Sequence, residues 1–361
     1  MPGETITARP TGQLRLYFEG ADANATPASL SAVEQIDNAL WVAGDESTTI
    51  ERLTSDDYAN YKDHVSLDLT RSFDLPGKEQ EEIDLEGIAW DKKNERLWLV
   101  GSHSLRRKKP RPDDSDADAF KALSKISRQD NRYLLGYLDF TRSDRRGDAR
   151  ALAAHPPSGH ALPFDKEDNA LIRTLRKSKT YAPFLDLPSK DNGLDIEGMA
   201  VANDRVFLGL RGPVLRGWAT ILQITLDLRA NGELELRPTD RKDRDYVRHV
   251  LDLDGLGIRD LCAHGNDLLI LAGPTMVLDG PMRVFRWRDA LGHEQGKCID
   301  GRQLEMLLDL PYGDRVDHPE GITLFEQNGA APLLLVVYDS ASGGRMHEGE
   351  YFKADLFAYP Q

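Results

Sequence analysis

Three glutamates draw attention because each precedes a glycine inside the same short phrase. They are Glu86 in DLEGIAW (84–90), Glu197 in DIEGMAV (195–201) and Glu320 in HPEGITL (318–324). Carboxylates brought together supply the oxygen ligands that Ca²⁺ or Mg²⁺ requires. A glutamate repeated beside a glycine also has an architectural reading, in which it bonds the backbone of a neighbouring repeat and locks the two together. Two weaker copies of the phrase, LSAVEQI (30–36) and GIRDLCA (257–263), carry Ser31 and Arg259 at the equivalent position. Repetition favours architecture, and the two departures favour a ligand. Arg211 and Arg216 lie in the glycine-bounded run RGPVLRGW (211–218), and Arg106 and Arg107 open the run RRKKPRP (106–112). With Arg259 they have the chemistry to grip phosphate or carboxylate, since guanidinium forks and glycine-exposed amides both recognise anions. The alternative is that they neutralise the nearby glutamates. His103, His318 and Asp260 are the candidates for moving protons. Ser47, Ser104 and Ser340 lack a nucleophile elbow, and Cys298 lacks a histidine partner. There is no phosphate loop, zinc spacing or dinucleotide fingerprint, so no organic cofactor is expected.

The elements that position these residues repeat along the chain. Each copy of the phrase precedes a β-rich run across a polar turn: 40–46, 96–102, 205–211, 268–274 and 333–339. Further strand candidates follow at 133–140, 221–228, 283–287 and 351–359. A last phrase, FDLP (73–76), FLDLP (184–188), VLDLD (250–254) or LLDLP (307–311), reads as a fourth strand before the next copy. Four antiparallel strands repeated around a ring make an all-β, single-domain β-propeller over 13–361. The key positions 31, 86, 197, 259 and 320 give spacings of 55, 111, 62 and 61. We read five four-stranded blades, with six as the alternative because of the wide interval. That interval holds a charged lid loop (103–131) and an insertion (141–182) with a helix over 165–180, capped by Asp165. A short helix is expected around 119–126. The final copy lacks a fourth strand, and QLRLYF (13–18) is expected to supply it, behind a flexible 1–12. In such a disc the start of each first strand and the end of each second strand share one face. The glutamates, Asp84, Asp195, His103, His318, Arg211 and Arg259 should therefore collect at one mouth of the channel.

Composition narrows the partners. Lys+Arg 46 against Asp+Glu 60 gives a net charge of −14 over 361 residues. That field repels phosphate, so neither general nucleic-acid binding nor an anionic membrane is expected. The basic run at 106–112 is followed at once by DDSDAD (113–118), which reads as a solvated, self-pairing loop. Two cysteines cannot form a disulfide framework, the opening residues lack a signal-peptide core, and no apolar run is long enough to span a membrane. A cytoplasmic protein is the expectation. Cys262 reads as a buried small hydrophobe.

The phrases EGIAW, DIEGMA, RGPVLRGW, GIRDLC, LAGPT and HPEGI together resemble an uncharacterised bacterial family, a domain of unknown function, over roughly 30–345. At a distance the chain is similar to phytase-like and gluconolactonase-like propellers, where an EG-bearing inner strand lines a Ca²⁺-containing channel. That resemblance implies a metal-dependent hydrolase of a small anionic phosphoester or ester. Glu86, Glu197 and Glu320 would hold Ca²⁺ or Mg²⁺, the arginines would hold the anion, and His103 would carry the proton. The alternative is a non-catalytic propeller that holds an anionic ligand or a protein partner on the same rim.

Overall fold

A computed structural model describes residues 7–19, 29–78, 81–141, 152, 154–239, 245–327, 329–347 and 350–359. The molecule is an all-β propeller. Its first sheet runs Leu30–Ile36, Ala39–Gly44, Thr49–Thr54 and Asn60–Asp68. The second runs Leu85–Asp91, Arg96–Gly101, Leu135–Asp139 and Gly159–Ala161. The third runs Asp195–Ala202, Arg205–Leu215, Trp218–Ile224 and Val247–Asp252. The fourth runs Gly257–His264, Asp267–Gly273, Met282–Trp287 and Glu305–Leu310. The fifth runs His318–Phe325, Leu333–Asp339 and Tyr351–Ala358, and the N-terminal strand Gly12–Leu16 completes it.

That completion is antiparallel, with Gly12 opposite Leu356 and Leu16 opposite Phe352. The same strand touches the first sheet in parallel through Arg15–Asn60 and Leu16–Tyr61. The chain's two ends are thus sewn together, as the sequence suggested. The expected flexible 1–12 divides. Residues 1–6 lie outside the described residues, whereas Ala8 donates to the Asp309 carbonyl at 2.7 Å and Thr11 to that of Leu356 at 2.7 Å.

Consecutive first strands pack on one another in a closed cycle, the fifth returning to the first. The second strands explain the unbroken apolar runs in the sequence. ALWVAG is buried along its whole length, and RLWLVG after its first residue. Both faces of such a strand lie against neighbouring sheets, so alternation has no use there. The buried side chains accordingly form layers between sheets, such as Trp41, Ile88 and Leu99 between the first and second. The tight turn Asn203–Asp204 has positive φ at both residues (53° and 58°), the geometry that matches strand twist in a two-residue hairpin.

Three details differ from the sequence reading. The phrases FDLP and FLDLP are not fourth strands: Asn60–Asp68 and Gly159–Ala161 take that place, and the phrases fall in turns that lead into the next inner strand. The inserted helix is Ala170–Arg176, and its cap is Asn169, whose side chain accepts from Ile172 N. Asp165 instead pairs with Asp168 in a two-residue hairpin. In the lid loop a helix spans Asp116–Leu123, capped by Ser115, above a short pairing of Arg106–Arg107 with Ile126–Ser127. Of the insertion at 141–182, residues 142–151 and 153 lie outside the described residues.

Candidate functional site

Each inner strand carries a β-bulge at one equivalent place. The pairing shifts between Leu30 and Ala32, Leu85 and Gly87, Ile196 and Gly198, Ile258 and Asp260, and Pro319 and Gly321. The residues passed over are Ser31, Glu86, Glu197, Arg259 and Glu320. A bulge frees one residue from the ladder and re-aims its side chain, which is how five inner strands turn five side chains toward one mouth. The glycine that follows has its own cause. A methyl on Gly87 would lie 2.8 Å from Met199 Cβ, and one on Gly198 would lie 2.9 Å from Asp260 backbone. The EG phrase is therefore an aimed residue followed by a contact between inner strands.

Around the ring the five positions are not equivalent. Ser31 donates to the Leu85 carbonyl of the next sheet and stays buried. Arg259 stands between two glutamates, with Nε 3.0 Å from Glu197 Oε2 and its other end on Glu320 Oε1. Arg211, from within the second strand of the third sheet, bridges Glu197 Oε1 and Asp195 Oδ2, each at 2.5 Å. Arg132 holds Asp84 Oδ2 at 2.8 Å and also meets Glu82. Among the described residues Glu86 makes no ion pair. Burial, together with Glu197, Asp84, Asp195 and Asp45, holds its carboxyl well above the usual range. Burial first, then Asp339, Asp84 and Glu46, pushes Asp45 up to about 7. Burial outweighs Arg211 at Asp195 and brings it to about 7 as well. Acids outnumber bases at this mouth, and the deficit falls on Glu86 and on Asp45 beside it.

The other expected residues separate. His103 is sealed under Tyr133: its Nδ1–H donates to the Gly101 carbonyl and its Nε2 accepts from Asn169, both at 2.8 Å. Burial lowers it to about 4, so it is a neutral structural imidazole. Asp260 also faces inward. It accepts from Ile322 N of the fifth sheet and from Leu261 N, each at 2.7 Å. That makes it a brace in the place where three of the other inner strands put glycine and the first puts Ala32. His318 lies beside the mouth with Nε2 3.1 Å from Asp279 Oδ1. Arg106 and Arg107 pair with Glu82 (3.0 Å) and Asp191 (2.6 Å), tying down the foot of the lid loop. Arg216 is exposed at a hairpin turn, away from the ring. Arg132 was absent from the sequence reading. It follows directly after the lid loop, in the turn Asp130–Tyr133, and nothing in its neighbourhood in sequence signals that it turns back to Asp84.

The expected metal set does not form. Glu197 is held by Arg211 and Arg259, and Glu320 by Arg259, so the guanidiniums occupy the positions an ion would need. Among the described residues no group of three or more His, Cys, Asp or Glu side chains is arranged to hold a metal. The donor set Glu86, Glu197 and Glu320 does not fit Ca²⁺ or Mg²⁺ in this arrangement.

Comparison places this architecture. Residues 29–355 match the family described as "Protein of unknown function (DUF3616)". The chain belongs to that family. No curated protein matches its sequence. Among solved structures, the glutaminyl cyclase of Myxococcus xanthus is similar at 11% identity and a TM-score of 0.43, covering 98% of this chain and 97% of that one. A PQQ-bound aldose sugar dehydrogenase from Streptomyces coelicolor is similar at 11% identity and TM-score 0.41, over 97% and 99% of the two chains. A luciferin-regenerating enzyme follows at 8% identity and TM-score 0.39, over 90% and 73%. Likeness this faint says nothing of function. Among the described residues no helix is long and apolar enough to cross a membrane.

Proposed function

We propose that the channel mouth of this DUF3616 protein is a small-molecule site whose working group is Glu86, and that its ligand brings positive charge. One observation carries the reading: Glu86 is the ring's carboxyl without an ion pair, and other acids crowd it. A group in that position is relieved either by a proton or by a cationic ligand that displaces the proton. The anionic ester expected from the sequence is less well served, because Arg211 and Arg259 are already spent on carboxylates.

Calorimetric titration with CaCl₂, MgCl₂ and putrescine, each in two buffers of different ionisation heat, tests the reading. We expect binding of a cation with release of up to about one proton, lost in Glu86→Gln. The absence of heat from all three probes, or unchanged heats in the Gln protein, would defeat it. A response to Ca²⁺ or Mg²⁺ alone would return the metal to the site and displace the arginines.

A hydrolase reading keeps one support. A carboxyl held well above its usual range and partly open to solvent suits a general acid. In that form the acid is Glu86 and no step depends on His103. Both cysteines are free, and we take the working compartment to be the reducing cytoplasm.

A further inference from the structure

The inner strands end, away from the acidic mouth, at an open cavity of about 1330 Å³ to which all five contribute. Glu34 lies on its wall. Its Oε2 accepts from Trp90 N at 3.3 Å and its Oε1 from Thr323 Oγ1 at 3.3 Å. Hydrogen bonds to a carboxylate usually close to about 2.7–2.9 Å, and Asp260, on the fourth inner strand, holds two at 2.7 Å. Asp260 is thus a satisfied brace, whereas Glu34, which also accepts from the Gln35 backbone, is held more loosely by Trp90 and Thr323 and faces an open space. Among the described residues it makes no ion pair. Around it the wall is mixed: Trp90, Val201 and Leu324 offer apolar surface among polar and charged side chains such as Gln35, Lys92 and Glu326.

We infer that this opposite end of the channel is a second small-molecule site, which takes an amine on an apolar body. The ammonium group donates to Glu34, and the apolar part lies against Trp90, Val201 and Leu324. Burial pushes the Glu34 carboxyl up to about 7 against the hydrogen bonds it accepts, and an ammonium would favour its charged form. The cavity exceeds the roughly 300–1,000 Å³ typical of pockets for drug-sized ligands, so access is not the constraint. The inference stands apart from the reading of Glu86, since the two carboxyls lie at opposite ends of the inner strands.

Benzylamine is the probe, with benzoate and benzyl alcohol as controls, and calorimetry is the readout on the full chain. Benzylamine should bind best. Glu34→Gln should weaken it about tenfold or more, the effect of losing a charge-assisted bond. Val201→Trp, which crowds the apolar wall the ligand's body lies against and leaves Glu34 in place, should weaken it similarly. It also serves if the Gln variant folds poorly. Glu86→Gln should leave this binding unchanged. The inference fails if benzylamine does not bind at millimolar concentration, if benzoate binds as well, if binding survives both Glu34→Gln and Val201→Trp, or if it is lost only with Glu86→Gln.

Discussion

Replacing Glu86 by glutamine should stabilise the protein, and only at the higher end of the pH range. Burial acts first on this carboxyl, and four acids add to it: Glu197, Asp84, Asp195 and Asp45. At an effective dielectric near 20, each like charge roughly 7 Å away costs about 2 kcal/mol. Arg211 lies close enough to feel Glu86 and offsets part of that sum, as does the partial exposure of Glu86 itself. A net penalty of about 2 kcal/mol for the ionised form is therefore expected. The sign follows from linkage. The folded-state carboxyl is raised, so between the ordinary carboxyl value and the raised one the native protein holds a proton that the unfolded chain has released. Stability then falls as pH rises through that window. Glutamine keeps the shape and removes the titration. Near pH 4.5 the two proteins should match. At pH 8 the Gln protein should be more stable by about 2 kcal/mol, or about 2–3 °C in Tm for a chain of this length. Denaturant unfolding at both pH values, with thermal melts alongside, is the assay. A Gln protein no more stable than wild type at pH 8 would mean that Glu86 is held by bonds its charge improves, and the crowding argument would be wrong.

Two other outcomes follow from the same structure. Asp260→Ala strips the Ile322 and Leu261 amides of acceptors they hold at 2.7 Å; leaving buried donors unmet should cost about 2–4 kcal/mol in denaturant unfolding, and a loss below 1 kcal/mol would remove its role as a brace between the fourth and fifth sheets. Deleting residues 1–17 removes a strand that buries Leu14 and Leu16 and bares the edge of Tyr351–Ala358; light scattering and melting should report aggregation or a large stability loss, and an unchanged melting temperature would show that ring closure contributes nothing.

The inner strands were legible in the sequence because two demands fall on adjacent residues: a bulge that aims one side chain and a close approach that admits only glycine next to it. That couple produces EG three times, and its failures at Ser31 and at Arg259–Asp260 were readable as departures. The second strands were legible because burial on both faces writes an unbroken apolar run. The fourth strands lie outermost, where packing dictates little. Asn60–Asp68 alternates between buried and exposed positions and carries no recurring phrase, so the recurring DLP phrase was mistaken for it. The cap of the inserted helix was misplaced for a similar reason. Asp165 and Asn169 both suit an N-cap, and only the tertiary fold puts Asp165 in a hairpin. The ion pairs were the least legible. Arg132 reaches Asp84 across 48 positions, and no local pattern encodes such a partner.

The inequality among the five ring positions is what turns architecture into a candidate site. Charges on an odd-membered ring cannot alternate throughout. Here Arg259 satisfies the glutamates on both of its sides, and Ser31 turns its hydroxyl to a backbone carbonyl rather than to a neighbouring carboxyl. Glu86 is left between a serine that offers it nothing and Glu197, whose own cations are already engaged. A purely structural ring would be expected to remove such a residue, since a neutral side chain at 86 would relieve the repulsion at no loss of a bond. Keeping a carboxyl there costs stability above the acid range, and groups held at such a cost are concentrated where a protein binds or reacts. The same reasoning separates Asp260 from Glu34 at the far end of the channel: Asp260, with bonds at 2.7 Å to Ile322 and Leu261, is explained by the fold, whereas Glu34 meets Trp90 and Thr323 at 3.3 Å and borders an open cavity.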